Sequence, residues 1–251
     1  MNWAMVSVEV AIQLLFPIAL GYFLVRRFRL RWRIFFIGVL FFIISQIIEL
    51  PIAAGLVVFD LGLESRPWLG ALIAGLTAGV CEEVARYLGF RFTRTMRDNR
   101  TWPAALLLGA GHGGAESILV GLIVIALAIV SALAPDLLPP QLSIGDEVVW
   151  YAYLLGGVER IFAITLQVSL AVLVFQVFVR RSIGYLFLAM LYHALIDFTA
   201  LGLQAAYKNL LLSEGVVFIF ALISLGIIWY FRGEKPVLPS EPASAGDTVA
   251  D

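Results

Sequence analysis

The chain has 251 residues, 61% of them hydrophobic and only 14% charged, with a formal net charge of −1. A water-soluble domain of this length carries nearly twice that charged fraction, about 25%, so a soluble globule is excluded, and the near-neutral charge leaves no footprint for a nucleic-acid partner. The one cysteine, Cys81, excludes an internal disulfide framework and a Cys-rich metal site.

Apolar stretches of roughly 20 residues recur along the chain, each long enough to cross a bilayer as a helix. They predict spans at 5–25, 34–58, 68–91, 102–133, 148–179, 183–206 and 213–231. The fold class is therefore all-α: a polytopic transmembrane bundle of about seven spans, one domain over 1–235. The first apolar run starts almost at Met1 with no basic region before it, so it reads as a retained span rather than a cleaved signal. The fourth and fifth spans are long. Gly111, Gly113 and Gly114 interrupt one and Gly156 and Gly157 the other, which predicts breaks, kinks or tilt there. Residues 236–251, rich in Pro, Ala and Ser, are expected to be a disordered tail. No internal repeat stands out.

Basic residues fix the orientation. Arg26, Arg27, Arg29, Arg31 and Arg33 follow the first span, and Arg91, Arg94, Arg97 and Arg100 follow the third. Arg180 and Arg181 follow the fifth, and Arg232 and Lys235 the seventh. The opposite loops carry Arg66 and Lys208, with Asp136, Asp146 and Glu147 after the fourth span. This alternation predicts an N-out, C-in topology in the cell membrane. Trp68, Trp102 and Trp229 fall near span ends, where interfacial anchors are expected.

Against this background the ionisable residues inside the spans stand out. Glu49, Glu82, Glu83, Glu116, Glu159 and Asp197 lie there, with both histidines of the chain, His112 and His193. Each charge at bilayer depth costs roughly 2.5–3.5 kcal/mol even on the lenient scale, so such groups are expected to be paired and to serve a function. Glu82 and Glu83 precede Arg86 by four and three residues; His112 and Glu116, and His193 and Asp197, are each four apart. Residues at these spacings share a helix face. At 1.5 Å per residue Glu83 sits ~12 Å, and His112 and His193 ~15 Å, from the cytoplasmic ends of their helices. Three polar patches on three helices thus fall at one level.

Hydrolysis is the chemistry such a cluster serves. A carboxylate screened from bulk water acts as general base on a trapped water. An imidazole holds that water or donates to a developing oxyanion, and an Asp one turn along fixes its tautomer. Arg86, by pairing with one carboxylate, separates the roles of the two glutamates.

The runs Cys81-Glu82-Glu83-Val84-Ala85-Arg86-Tyr87, Gly111-His112-Gly113-Gly114-Ala115-Glu116-Ser117, Gly157-Val158-Glu159-Arg160 and His193-Ala194-Leu195-Ile196-Asp197 together resemble the YhfC family of membrane peptidases. More distantly they are similar to the CAAX-prenyl-protease and bacteriocin-processing group of glutamic intramembrane proteases. The resemblance runs from the third span to the sixth. It implies a metal-free endopeptidase with no cofactor, acting on a membrane-embedded or lipidated protein or peptide. Carried over by motif, Glu82 or Glu83 is the base, His112 positions the water, and His193 with Asp197 stabilises the oxyanion. Arg86, Glu116, Glu159 and Arg160 support them. The sequence departs from the broader group in two places. Arg86 follows Glu83 by three residues rather than four, which leaves the choice of glutamate open with Glu82 favoured by motif order, and Gly-His-Gly-Gly replaces a Phe-containing motif.

Each of these residues also has a structural reading. His193 and Asp197 would serve as a mutually satisfied pair, Glu159 and Arg160 as a bridge between helices, and Gly109 and Gly113 as a close-packing stripe beside His112. Glu49, two residues before Pro51, would serve the carbonyls freed by a kink. Gln46, Gln167 and Gln176 read as interhelical glue. Two functional alternatives remain: a zinc-dependent intramembrane protease built on the two histidines and a carboxylate, and a non-enzymatic proton-coupled transporter or membrane scaffold.

Overall fold

The computed structural model describes residues 3–58, 62–138 and 150–233. Its helices are α1 (Trp3–Phe28), α2 (Trp32–Val58), α3 (Pro67–Phe92), α4 (Arg94–Asp98), α5 (Trp102–Leu133), α6 (Trp150–Val179), α7 (Gly184–Tyr207) and α8 (Leu210–Tyr230). All but the short α4 are long and apolar enough to cross a membrane, giving the seven spans predicted, each end within three residues of its expected place. The expected tail and the acids Asp146 and Glu147 lie outside the described residues. Local chemistry sets several ends. Thr101 Oγ1 accepts from the Ala104 N–H at the start of α5, and Asn209 Oδ1 accepts from the Leu212 N–H at 3.1 Å at the start of α8. Arg29, Arg181 and Lys208 turn the chain between helices at positive φ.

α6 is the axial helix. Of its apolar segment 78% is buried, against 17–39% in the other spans. It touches α1, α3, α5, α7 and α8, while α3 packs most extensively on α7, and α2 on α5. Small residues let these pairs close. A Cβ on Gly75 would lie 2.7 Å from the Ala194 carbonyl oxygen, and one on Gly79 2.7 Å from that of Met190, so α3 and α7 meet nearly backbone to backbone. The glycines expected to interrupt the long spans do not break them, and α5 and α6 each run as one helix. Neighbouring groups occupy the space their side chains would need. Gly109 faces the Cα of Val168, Gly111 the carbonyl of Phe35, and Gly156 the carboxylate of Glu9.

The basic segments gather at one end. Arg29, Arg31 and Arg33 line a cleft with Arg94; Arg91, Arg97 and Arg100 line another with Arg181; and Arg180 lies over Phe231 at the end of α8. The positive-inside rule assigns this end to the cytoplasm. Just inside it is an apolar block in which Phe90, Met96, Leu107, Leu108, Ala171 and Phe175 are all fully buried. The Trp102 indole N–H donates to the Ile228 carbonyl at 3.0 Å and ties α5 to α8 there.

Candidate active site

The α3–α7 contact puts Glu83 against His193. The His193 Nδ1–Glu83 Oε1 distance is 2.9 Å, and Arg86 Nη1 donates to both Glu83 oxygens at 2.7 Å. Glu83 and Arg86 are both 0% exposed. On the other side of the His193 ring, Nε2 lies 3.6 Å from Asp197 Oδ2, one helical turn along α7. Glu83 is thus walled in, and its charge is answered wholly by protein groups.

Glu82 has a different setting. His112 Nε2 lies 3.0 Å from Glu82 Oε2, and Gln167 Nε2 donates to the same oxygen at 3.1 Å. Both contacts fall on Oε2, which leaves Oε1 to the cavity that Glu82 lines. His112 does not reach that cavity. Its ring is fully buried behind Glu82, edge-on to Phe42 at 5.3 Å between centroids. The approach of α2 to α5 makes this possible, since a Cβ on Gly38 would strike the Leu108 carbonyl.

The cavity has a volume of about 350 Å³. Glu82, His193, Asp197, Glu116, Glu159 and Arg160 share its wall, so six of the nine side chains that the motifs assign to the site converge on it. Glu83, Arg86 and His112 stand behind that wall. Glu159 and Arg160 pair side by side on α6, and Arg160 Nη1 also donates to Glu116 Oε1 at 3.1 Å. A lipid-facing groove of about 960 Å³ between α1, α2 and α5 adjoins the cavity, and the two share Phe42, Gln46 and Leu119.

Residues 12–217 match the family described as YhfC intramembrane metalloprotease. The chain belongs to the YhfC family. It is also 33% identical over 250 residues to the Bacillus subtilis (strain 168) protein described as uncharacterized membrane protein YhfC, covering 90% of this chain and 93% of that protein. No solved structure matches. The family description makes this YhfC chain an intramembrane protease, a hydrolase of peptide substrates within the bilayer.

The family description also implies a metal, and the YhfC donor set can be tested for it. Two histidines and several carboxylates are the right donor types for zinc, which in catalytic sites needs three protein ligands and an open position. Their arrangement does not fit. Among the described residues no three His, Cys, Asp or Glu side chains converge as a metal site requires. His112 Nε2 is taken by Glu82, and the two nitrogens of His193 face Glu83 and Asp197.

Several YhfC residues have a larger place than their sequence suggested. Gln167, read as interhelical glue, is the hub of the site. Its Oε1 accepts from Arg86 Nη2, and its Nε2 donates to Glu82 and, at 2.8 Å, to Glu116. The available signal was its position seven residues after Arg160, two turns along the same face of α6. Glu49 lines the cavity and accepts from Gln46 Nε2 at 3.0 Å, which places it in the site as well as near Pro51. Glu9 and Glu214 also lie within spans, outside the set of ionisable residues expected at the site. Glu9 is buried on α1 and accepts from Gln13 Nε2 at 3.1 Å. An acid inside an apolar span was signal enough for both.

Proposed function

We propose that this chain hydrolyses a peptide bond of a membrane-associated protein or peptide, with Glu82 as the general base. What supports the assignment is the contrast between the adjacent glutamates: Glu83 is enclosed by Arg86 and His193, whereas Glu82 lines the cavity with one oxygen free of protein partners. A base needs an accessible lone pair within reach of its water.

Each remaining group then has a part. His112 and Gln167 donate to Glu82 Oε2 and hold the carboxylate so that Oε1 faces the water. Glu82 takes one proton from that water, and the resulting hydroxide adds to the scissile carbonyl carbon. The His193 ring is held at Nδ1 by Glu83, and its Nε2, 3.6 Å from Asp197 Oδ2, donates to the developing oxyanion. Glu83 and Arg86 fix that ring. The tetrahedral species collapses as the C–N bond breaks, and Glu82 returns its proton to the departing amine.

Purified protein in proteoliposomes, assayed for new termini in membrane peptides, tests this reading. Glu82→Gln abolishes cleavage while the protein still folds; full activity in that variant overturns it. A metal-dependent hydrolysis is the second reading, favoured by the family description. Stoichiometric zinc in the active protein, with activity lost on chelation and restored by zinc, would replace the first reading with the second.

A further inference from the structure

The catalytic level lies in the cytoplasmic half of the bundle, yet the polar cavity extends from it away from the arginine-rich end, and only the apolar groove follows α2 back toward Trp32. On α2 the cavity rises from Phe42 to Glu49, on α3 from Glu82 to Ala78, and on α5 from Glu116 to Ile123. On α6 it runs from Leu170 back to Glu159, on α7 from His193 to Leu201, and α8 contributes Val217. Chain direction alternates between successive spans, so on every helix where the wall extends it leads away from the arginine-rich end. Exposure is lowest at the cytoplasmic end of the site and higher beyond it, where the Glu159 and Arg160 side chains are 18% and 15% exposed. The Glu83 and Arg86 side chains are 0% exposed and Glu82 7%, while Glu116 and Asp197, farther out, are 25% and 30% exposed.

Between α3, α5 and α6 the cytoplasmic direction is filled by the block built on Phe90, Leu107, Leu108, Ala171 and Phe175, with no exposure at any of them and the Gln176 side chain enclosed at the same level. Close-packed interiors of this kind leave few voids larger than a water molecule, so no continuous water path crosses the block. The adjoining groove between α1, α2 and α5 is lined almost wholly by apolar side chains and offers a place for acyl chains or an apolar segment, not a path for water.

We propose that water reaches Glu82 from the extracytoplasmic side along the polar wall of the cavity, while the apolar part of a membrane-anchored protein or peptide substrate enters from the lipid through the adjoining groove. The substrate class rests on the proteolytic reading above; the route of access does not. The carboxylates of Glu49, Glu116, Glu159 and Asp197, with the Arg160 guanidinium, give that route a wall that retains water at bilayer depth.

Thiol labelling with a charged, membrane-impermeant methanethiosulfonate reagent tests the route. In a Cys81→Ala background, Ala163→Cys and Ala200→Cys place reporters on the cavity wall, and Ala171→Cys places one in the closed block. Lys208→Cys and Arg97→Cys, both exposed, mark the two ends of the bundle. The thiolate is the reacting form and needs water, so the two wall reporters label at least about tenfold faster from the extracytoplasmic side, in step with Lys208→Cys, while Ala171→Cys stays unlabelled. Labelling of the wall reporters from the cytoplasmic side, together with Arg97→Cys, overturns the proposal, as does labelling from neither side. Two wall positions guard against one variant failing to fold. The readout involves no proteolysis, so the route can fail while Glu82→Gln still abolishes cleavage, and the converse.

Discussion

Glu82 and Glu83 are neighbours in sequence and chemically identical, yet their surroundings give their substitutions different outcomes. Glu82→Gln keeps the shape and the contacts with Gln167 and His112 but removes the base, so the expected loss is about 10²–10⁴ in kcat with little change in melting temperature. Glu83→Gln leaves the Arg86 guanidinium, 0% exposed, without its counter-charge. Breaking one side of a buried ion pair costs about 3–5 kcal/mol, so that variant loses stability as well as activity. Thermal unfolding in detergent beside a cleavage assay separates the two, and equal unfolding temperatures for both variants would contradict the assignment. Gln167→Leu is expected to behave like Glu83→Gln on a smaller scale. It leaves Arg86 Nη2 and one oxygen each of Glu82 and Glu116 without their amide partner, at a cost of about 1–3 kcal/mol for a buried polar group left unsatisfied. The same unfolding measurement checks it.

At the scale of helices, the site depends on how closely α3 and α7 approach, and glycine sets that distance. Gly79→Ala puts a methyl 2.7 Å from the Met190 carbonyl oxygen, a backbone atom that cannot swing away. Overpacking of this kind costs about 1–3 kcal/mol, and the separation of the helices stretches the Glu83–His193 contact, so unfolding temperature and cleavage rate should both fall. Gly226→Ala on α8 is the matched control, since nothing lies within 4 Å of its added Cβ. There the gain in helix propensity, up to about 1 kcal/mol, leaves stability unchanged or raised. If the two alanine variants unfold alike, close packing of α3 on α7 is not what holds the site. The same argument explains why the glycines of α5 and α6 do not interrupt those helices: intrinsic propensity disfavours them by up to about 1 kcal/mol each, and the backbone approach they permit outweighs it.

At the scale of the whole molecule, topology decides which compartment meets the cavity. The arginine-rich loops converge on one end of the bundle, and a reporter fused after Gly233 tests which side that is. Green fluorescent protein there is expected to fluoresce and alkaline phosphatase to stay inactive, as for a cytoplasmic end; the reverse would invert the bundle and with it the side from which the cavity opens.

The number of spans, their bounds and the distribution of basic loops were legible in the sequence because the bilayer imposes a length and a charge rule on each helix separately, and each is satisfied by residues close together in the chain. So were most of the ionisable residues that line the cavity, since an ionisable group at bilayer depth is conspicuous whatever it touches. What the tertiary structure decided is which side of each helix meets which neighbour. Glu82 and Glu83 differ by about 100° around α3, and only the positions of α5, α6 and α7 determine that one reaches the cavity and the other is sealed behind Arg86 and His193. The hub at Gln167, the place of His112 behind Glu82, and the direction in which the cavity opens depend likewise on contacts between residues far apart in the chain, which no local pattern encodes.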